Sequence, residues 1–163
     1  MTIILKNKDT LQYKEFIFRC ATGKNGLTKN KIEGDQKTPK GTFGLEELYY
    51  REDKINKPET KLKCVPIKKN MVWCDDSNDK KNYNKLLSVK TKSRHEKLFK
   101  NNKTYDLLIP IKYNFQKPIA GKGSAIFIHL TENFNQTAGC ISLIKKDLLI
   151  LLKLIDRNTK IKI

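Results

Sequence analysis

Cys140 and His129 are the two residues whose types and spacing could support covalent chemistry. His129 ends a predicted strand, a polar loop follows, and Cys140 comes shortly before a predicted helix. Nucleophilic cysteine catalysis needs a thiolate, a base within hydrogen-bond reach and donors for an oxyanion. In this pattern Cys140 is the candidate nucleophile, His129 the general base and later acid, and the backbone amides around Gly139 and Cys140 the oxyanion donors. Both residue types also occur as packing residues in such positions, so the pattern alone leaves the two interpretations open.

The strand that must position His129 is predicted over Ala125–Leu130. Its side chains alternate, so that Ala125, Phe127 and His129 share one face and Ile126, Ile128 and Leu130 share the other. Further strands are predicted over Thr2–Leu5, Phe16–Ala21, Tyr105–Tyr113 and Ile161–Ile163. The polar segment Lys6–Thr10 is typical of the turn of a hairpin between the first two.

One amphipathic helix is predicted near the C-terminus, over about residues 145–155. Leu148, Leu151, Leu152 and Ile155 fall at i, i+3, i+4 and i+7, which places them on one core-facing stripe. The positive end of this helix would favour the Cys140 thiolate, although three or four residues intervene and the effect fades within a turn.

The remainder of the chain predicts loops and short strands. Residues 22–43 form a glycine-bearing loop in which Pro39 excludes a central strand. From Glu52 to Lys103 the sequence is polar, with scattered apolar residues that suggest short strands in long loops: Val65, Ile67, Val72, Trp73, Leu86, Leu87 and Val89. We therefore expect one mainly β domain over residues 1–163, with a single C-terminal helix and long polar loops.

The charge of the chain is strongly positive, at +17 over 163 residues. It comes mainly from lysines and is spread along the sequence, whereas base and phosphate recognition favours the bidentate arginine side chain. A specific nucleic-acid partner is therefore not expected, and a Lys-rich surface that attracts anions is the preferred interpretation. No apolar run approaches the roughly 20 residues of a membrane-spanning helix.

The spacing of the four cysteines does not support a structural zinc site, because no C-x-x-C pair occurs among Cys20, Cys64, Cys74 and Cys140. No other metal and no cofactor is expected. Cys20 lies in an apolar stretch and is expected to be a buried free thiol. A disulfide between Cys64 and Cys74 remains open. The first residues lack the apolar stretch of an export signal, which favours the cytoplasm; export by another route would place the protein in the periplasm or facing the cell wall.

Two segments resemble the active-site signature of the L,D-transpeptidase (YkuD-type) family: Ile128-His129 and Thr137-Ala138-Gly139-Cys140. Other segments are similar to its short, single-domain members, and together they cover nearly the whole chain: Glu33-Gly34-Asp35, Thr38-Pro39 with Gly41-Thr42-Phe43, Trp73-Cys74-Asp75-Asp76, Tyr83-Asn84, His95-Glu96, Tyr105-Asp106-Leu107, Tyr113-Asn114, Gly121 with Gly123-Ser124-Ala125-Ile126-Phe127, and Asp147-Leu148-Leu149.

The resemblance implies a YkuD-like β-sandwich and a cysteine enzyme acting on peptidoglycan or muropeptides. Cys140 would attack the amide between an L-centre and a D-centre of a stem peptide, with His129 as acid and base and Gly139 in the oxyanion site. Ser124 and Thr137 would support the substrate pocket. Trp73 would flank the substrate groove or lie in the core.

The sequence departs from the family pattern at Ala138 and Ser142, where many members have a His and an Arg or Asn. An arginine after the cysteine could hold a stem carboxylate bidentately, which Ser142 cannot do.

Three functions follow from these observations. The acyl group would pass to an amine in an L,D-transpeptidase, or to water in a cytoplasmic L,D-carboxypeptidase that trims muropeptides during recycling. A non-catalytic Lys-rich domain that binds anions or nucleic acid is the alternative of another class. The oligomeric state is left open.

Overall fold

A computed structural model describes residues 1–88 and 90–163. Within them the chain forms fifteen strands and one helix. The strands are β1 (Thr2–Asn7), β2 (Thr10–Tyr13), β3 (Phe16–Arg19), β4 (Leu27–Thr28), β5 (Thr38–Pro39), β6 (Thr42–Gly44), β7 (Leu48–Tyr50), β8 (Cys64–Pro66), β9 (Val72–Cys74), β10 (Leu86–Leu87), β11 (His95–Lys97), β12 (Leu107–Pro110), β13 (Phe127–Leu130), β14 (Ile141–Leu143) and β15 (Lys160–Lys162). The helix is α1 (Lys145–Leu154).

Two five-stranded sheets form the body of the fold. The first has the order β3-β2-β1-β15-β6, and the second has the order β14-β13-β12-β7-β8. A three-stranded sheet, β10-β9-β11, and the two-stranded pair β4-β5 complete the architecture. The prediction of a mainly β sandwich with one C-terminal helix is confirmed.

The second sheet is buried on both faces. Alternate side chains along β13 and the residues just before it enter two different apolar clusters. Ile126, Ile128 and Leu130 enter the main core, which also draws residues from the first sheet and from α1. Phe127 points the other way, into a smaller apolar cluster that includes Cys140. The predicted assignment of side chains to the two faces of this strand is therefore correct.

The predicted helical stripe is confirmed, because Leu148, Leu151, Leu152 and Ile155 are all fully buried. Ile155 is the C-terminal cap, so the helix ends one residue earlier than predicted. Val65, Val72, Trp73, Leu86 and Leu87 lie in short strands as expected, whereas Ile67 is buried just beyond β8 and Val89 lies outside the described residues.

Several strands were not predicted from the sequence. They are β2, β7 and β14, together with β4, β5 and β6, which lie in or overlap the segment 22–43 that was expected to be a loop. The predicted turn Lys6–Thr10 is wrong at both ends, since β1 continues to Asn7 and β2 begins at Thr10. Leu11 and Tyr13 of β2 are buried and alternate with half-exposed residues, so a four-residue strand with period two begins at the last residue of the expected turn. The missed strand β14 separates Cys140 from α1, and Cys140 therefore leads into a strand rather than a helix.

All four cysteines are free thiols, and burial raises the pKa of Cys20 to about 12, as expected for an inert thiol in the core. Among the described residues, no helix is both long and apolar enough to cross a membrane.

Candidate active site

The parallel pairing of β13 with β14 brings the two predicted catalytic residues to one face of the second sheet. In this pairing Ile128 lies opposite Ile141, and His129 lies opposite Ser142. Cys140 directly precedes β14 and lies opposite Phe127 of β13. The Phe127 N–H donates to Cys140 Sγ at 3.3 Å. Because side chains two residues apart share a face, Cys140 and His129 line the same pocket.

The Cys140 thiol is buried and neutral. Its S–H donates to the carbonyl oxygen of Ala125 at 3.2 Å, and only 8% of the residue is exposed. Burial raises its pKa to about 12, and the nearby Glu96 carboxylate adds to that effect. The N-terminus of α1 does not counteract this, since β14 lies between the two.

His129 is oriented as a neutral base. Its Nδ1 lies 2.9 Å from the carbonyl oxygen of Leu130, and since a carbonyl only accepts, Nδ1 carries the proton. Nε2 is then the nitrogen with a free lone pair. Burial lowers the pKa of the ring, which keeps it unprotonated near neutral pH, and Tyr105 packs edge-on against it with centroids 5.5 Å apart.

A charged network borders this pair. Glu96 of β11 accepts hydrogen bonds from the Tyr105 hydroxyl at 2.6 Å and from Lys100 at 2.7 Å, and the Lys100 ammonium lies 4.0 Å from the centroid of the Tyr105 ring. Burial raises the pKa of Tyr105, and the neighbouring Glu96 carboxylate adds to that effect. Sequence reasoning noted His95-Glu96 and Tyr105 only as parts of the family resemblance and did not connect them. His95 itself bonds Ser93 through Nδ1 and does not line the pocket.

The turn before Cys140 is held by Thr137. Its hydroxyl donates to the Cys140 carbonyl oxygen at 2.6 Å and accepts the N–H of Gly139 at 3.1 Å. Gly139 has a φ of +142°, and a Cβ there would lie 2.9 Å from the Lys37 carbonyl oxygen, so a larger residue does not fit. Since the Gly139 N–H is engaged, the Cys140 N–H is the amide of this turn that an oxyanion could use.

The pocket in front of Cys140 encloses about 500 Å³, and Ser124 and Thr137 both line it. The Ser124 hydroxyl donates to Glu33 at 2.5 Å, and the Tyr83 hydroxyl donates to the same carboxylate oxygen. Ser142 also lines the pocket and is fully buried, and its Oγ has no hydrogen-bond partner among the described residues.

Trp73 does not line this pocket. Its ring packs edge-on against Phe127 at 5.1 Å, and its indole N–H donates to Asn84 Oδ1 at 2.8 Å. Trp73 is only 3% exposed, so of its two predicted placements the structure has the one in the core.

The charge of the pocket is opposite to that of the whole chain. Four carboxylates line it, against the ammonium groups of Lys31 and Lys103: Glu33, Asp75, Glu96 and Glu132. The excess of lysine is therefore not concentrated at the site. Within the described part of the chain, no group of three or more His, Cys, Asp and Glu side chains is arranged to hold a metal ion.

Fold and site together define a class: a β-sandwich with a buried cysteine and a neutral histidine on neighbouring parallel strands, both facing one pocket. The whole chain, residues 1–163, matches the family of L,D-transpeptidase catalytic domains called YkuD. The chain belongs to this family.

Among solved structures, the fold is similar to that of the helical cell shape determining protein Pgp2 from Campylobacter jejuni. The two chains share 18% identity with a TM-score of 0.55, and the match covers 99% of this chain and 46% of Pgp2, so this chain spans about half the length of that protein. No curated protein matches the sequence.

Proposed function

We propose that the protein is a cysteine acyltransferase that acts on peptidoglycan stem peptides, with Cys140 as nucleophile and His129 as general base. The proposal rests on one observation: the neutral thiol that directly precedes β14 and the neutral imidazole of β13 line the same pocket of about 500 Å³. Membership of the L,D-transpeptidase family supports the substrate class.

The proposed reaction begins when His129 Nε2 removes the thiol proton as Cys140 Sγ attacks the carbonyl carbon of the amide between an L-centre and a D-centre. The C–S bond forms, and the carbonyl electrons move to oxygen to give an oxyanion. As the oxyanion collapses, the C–N bond breaks and His129 returns the proton to the leaving amine, which departs as a D-amino acid. The thioester then passes its acyl group to an amine, which gives a cross-link, or to water.

The neutral resting pair fits this order of events. A thiol whose pKa is raised to about 12 is deprotonated only as the substrate arrives, and the neutral imidazole is ready to accept the proton. Thr137 holds the turn that presents the cysteine, and Ser124 fixes the Glu33 carboxylate in the pocket wall.

Release of D-alanine from a disaccharide tetrapeptide, followed by mass spectrometry, tests the proposal. The intact protein is expected to give the tripeptide, and Cys140→Ala is expected to give none, while Cys20→Ala serves as the matched control because that thiol is buried away from the pocket. Equal product from Cys140→Ala and the intact protein would overturn the assignment.

An excess of acceptor peptide separates the two fates of the thioester. A dimeric product supports transfer to an amine, as in an L,D-transpeptidase. Tripeptide alone supports hydrolysis, as in an L,D-carboxypeptidase. The carboxylate-lined pocket argues against nucleic acid as the ligand of this face, and a titration with oligonucleotides at physiological salt tests that alternative class.

A further inference from the structure

Lys31 is a buried lysine in the wall of the same pocket. It is 4% exposed, in a protein whose other lysines are mostly at the surface. Two glycines with positive φ leave room for its side chain: a Cβ on Gly123 would come within 2.6 Å of Lys31 Cγ, and a Cβ on Gly139 would lie 3.6 Å from Lys31 Nζ. The ammonium therefore lies beside the residue that precedes Cys140.

The hydrogen bonds of Lys31 fix this position. Nζ donates to the carbonyl oxygen of Ile32 at 3.3 Å and to Asp35 Oδ1. Asp35 is itself held by the amides of Ile32 and Lys37, each at 2.9 Å, and these contacts with Lys31 lower its pKa despite burial. An ammonium has three N–H groups, and its contacts with the described residues use two of them, which leaves one N–H for a group bound in the pocket.

One amide of the turn before Cys140 is already engaged. The Gly139 N–H is taken by Thr137, which leaves the Cys140 N–H as the amide of the turn. The Lys31 ammonium lies close to Gly139, the residue that precedes Cys140, and in the wall of the same pocket, which makes it a candidate for a second oxyanion donor. A fixed positive charge in a buried site stabilises such an oxygen strongly, because little water competes for it.

We propose that Lys31 is a further catalytic residue, whose ammonium donates a hydrogen bond to the oxyanion formed when Cys140 attacks the substrate carbonyl. Lys31 stays protonated throughout, since the thiol proton goes to His129 and from there to the leaving amine. The inference rests on the proposed function. In the free protein the charge of Lys31 lowers the pKa of the Cys140 thiol, as does the charge of Lys100, whereas the Glu96 carboxylate raises it.

Steady-state kinetics of D-alanine release test the proposal with Lys31→Met, which keeps the length of the side chain and removes its charge. We expect kcat to fall by about 100-fold, the usual effect of losing one oxyanion donor, with KM changed by less than about threefold. Lys153→Met is the matched control, because Lys153 lies on α1 outside the pocket and forms an exposed ion pair with Glu59. It should keep the kcat of the intact protein.

The double variant Lys31→Met/Asp35→Asn separates catalysis from folding, because it leaves no unpaired buried carboxylate. If Lys31 only neutralises Asp35, the double variant recovers the kcat and melting temperature that the single variant loses. The proposal predicts that the double variant recovers stability while kcat stays about 100-fold low. Recovery of kcat, or a single variant within threefold of the intact protein, would overturn it.

Alkylation of Cys140 by iodoacetamide at pH 8.5 provides a readout that needs no peptide substrate. Without the Lys31 charge we expect alkylation to slow by about threefold, while Lys153→Met reacts like the intact protein. If the intact protein releases no D-alanine, the proposed function fails. The alkylation rates still decide whether Lys31 acts on the thiol, because equal rates in the intact protein and in Lys31→Met would overturn that role.

Discussion

The thiol of Cys140 donates a hydrogen bond to the carbonyl oxygen of Ala125, 3.2 Å away. Ala125 has a φ of +52°, an uncommon conformation for a residue with a Cβ, and it lies just before β13, the strand that carries His129. The same short segment thus supplies the acceptor that holds the thiol in its protonated form and the imidazole that is proposed to deprotonate it.

The pH dependence of the reaction follows from this neutral pair. Burial lowers the pKa of His129 below its usual 6.5. The ring therefore becomes protonated, and can no longer act as a base, only when the pH falls below 6.5. We expect kcat/KM to rise with pH through a single ionisation below 6.5 and then to stay level to about pH 9, since the thiol pKa is near 12. A second ionisation between pH 7 and 9 would indicate a thiolate–imidazolium pair instead.

Gly139→Ala tests the turn that presents Cys140. The added Cβ would lie 2.9 Å from the Lys37 carbonyl oxygen, at a φ of +142° that disfavours any side chain. We expect a loss of about 1–3 kcal/mol in the free energy of unfolding and a loss of about 100-fold in kcat, because the turn must shift. Denaturant unfolding and D-alanine release measure the two effects.

Gly121→Ala is the matched control for this change. Gly121 also has a positive φ, +83°, but a Cβ there meets no atom within 4 Å. It should lose about 1 kcal/mol of stability and keep its activity. Equal activity in both alanine variants would contradict a catalytic role for the turn at Gly139.

Trp73→Phe distinguishes a packing role from a substrate-binding role. The change keeps an aromatic ring against Phe127 and removes the hydrogen bond to Asn84, which we expect to reduce the free energy of unfolding by about 1–3 kcal/mol. Because Trp73 does not line the pocket, KM for the tetrapeptide should change by less than twofold. A large rise in KM with unchanged stability would place Trp73 in the substrate groove after all.

The sequence predicts the parts of this fold in which a periodic pattern is long enough. The four-residue stripe of α1 and the alternation along Ala125–Leu130 each repeat several times, and both are confirmed. Strands β2 and β14 contain four and three residues, so a period cannot be recognised in them before the tertiary contacts are known.

The candidate pair was accessible from the sequence because Cys140 and His129 lie close in the chain and resemble a known signature. Their surroundings were not accessible. The bond from Ser124 to Glu33 joins residues 91 positions apart, and the ion pair between Lys31 and Asp35 looks in the sequence like an ordinary surface pair. The structure alone shows that Lys31 is buried and that its ammonium lies beside Gly139, the residue that precedes the cysteine.

The central claim is that Cys140 forms a thioester with the stem peptide, and intact-protein mass spectrometry after rapid acid quenching measures this directly. We expect a transient adduct equal to the mass of the tetrapeptide substrate less that of D-alanine, which peptide mapping locates on Cys140 and which is absent from Cys140→Ala. D-alanine release without any adduct on Cys140, or an adduct that persists in Cys140→Ala, would contradict it.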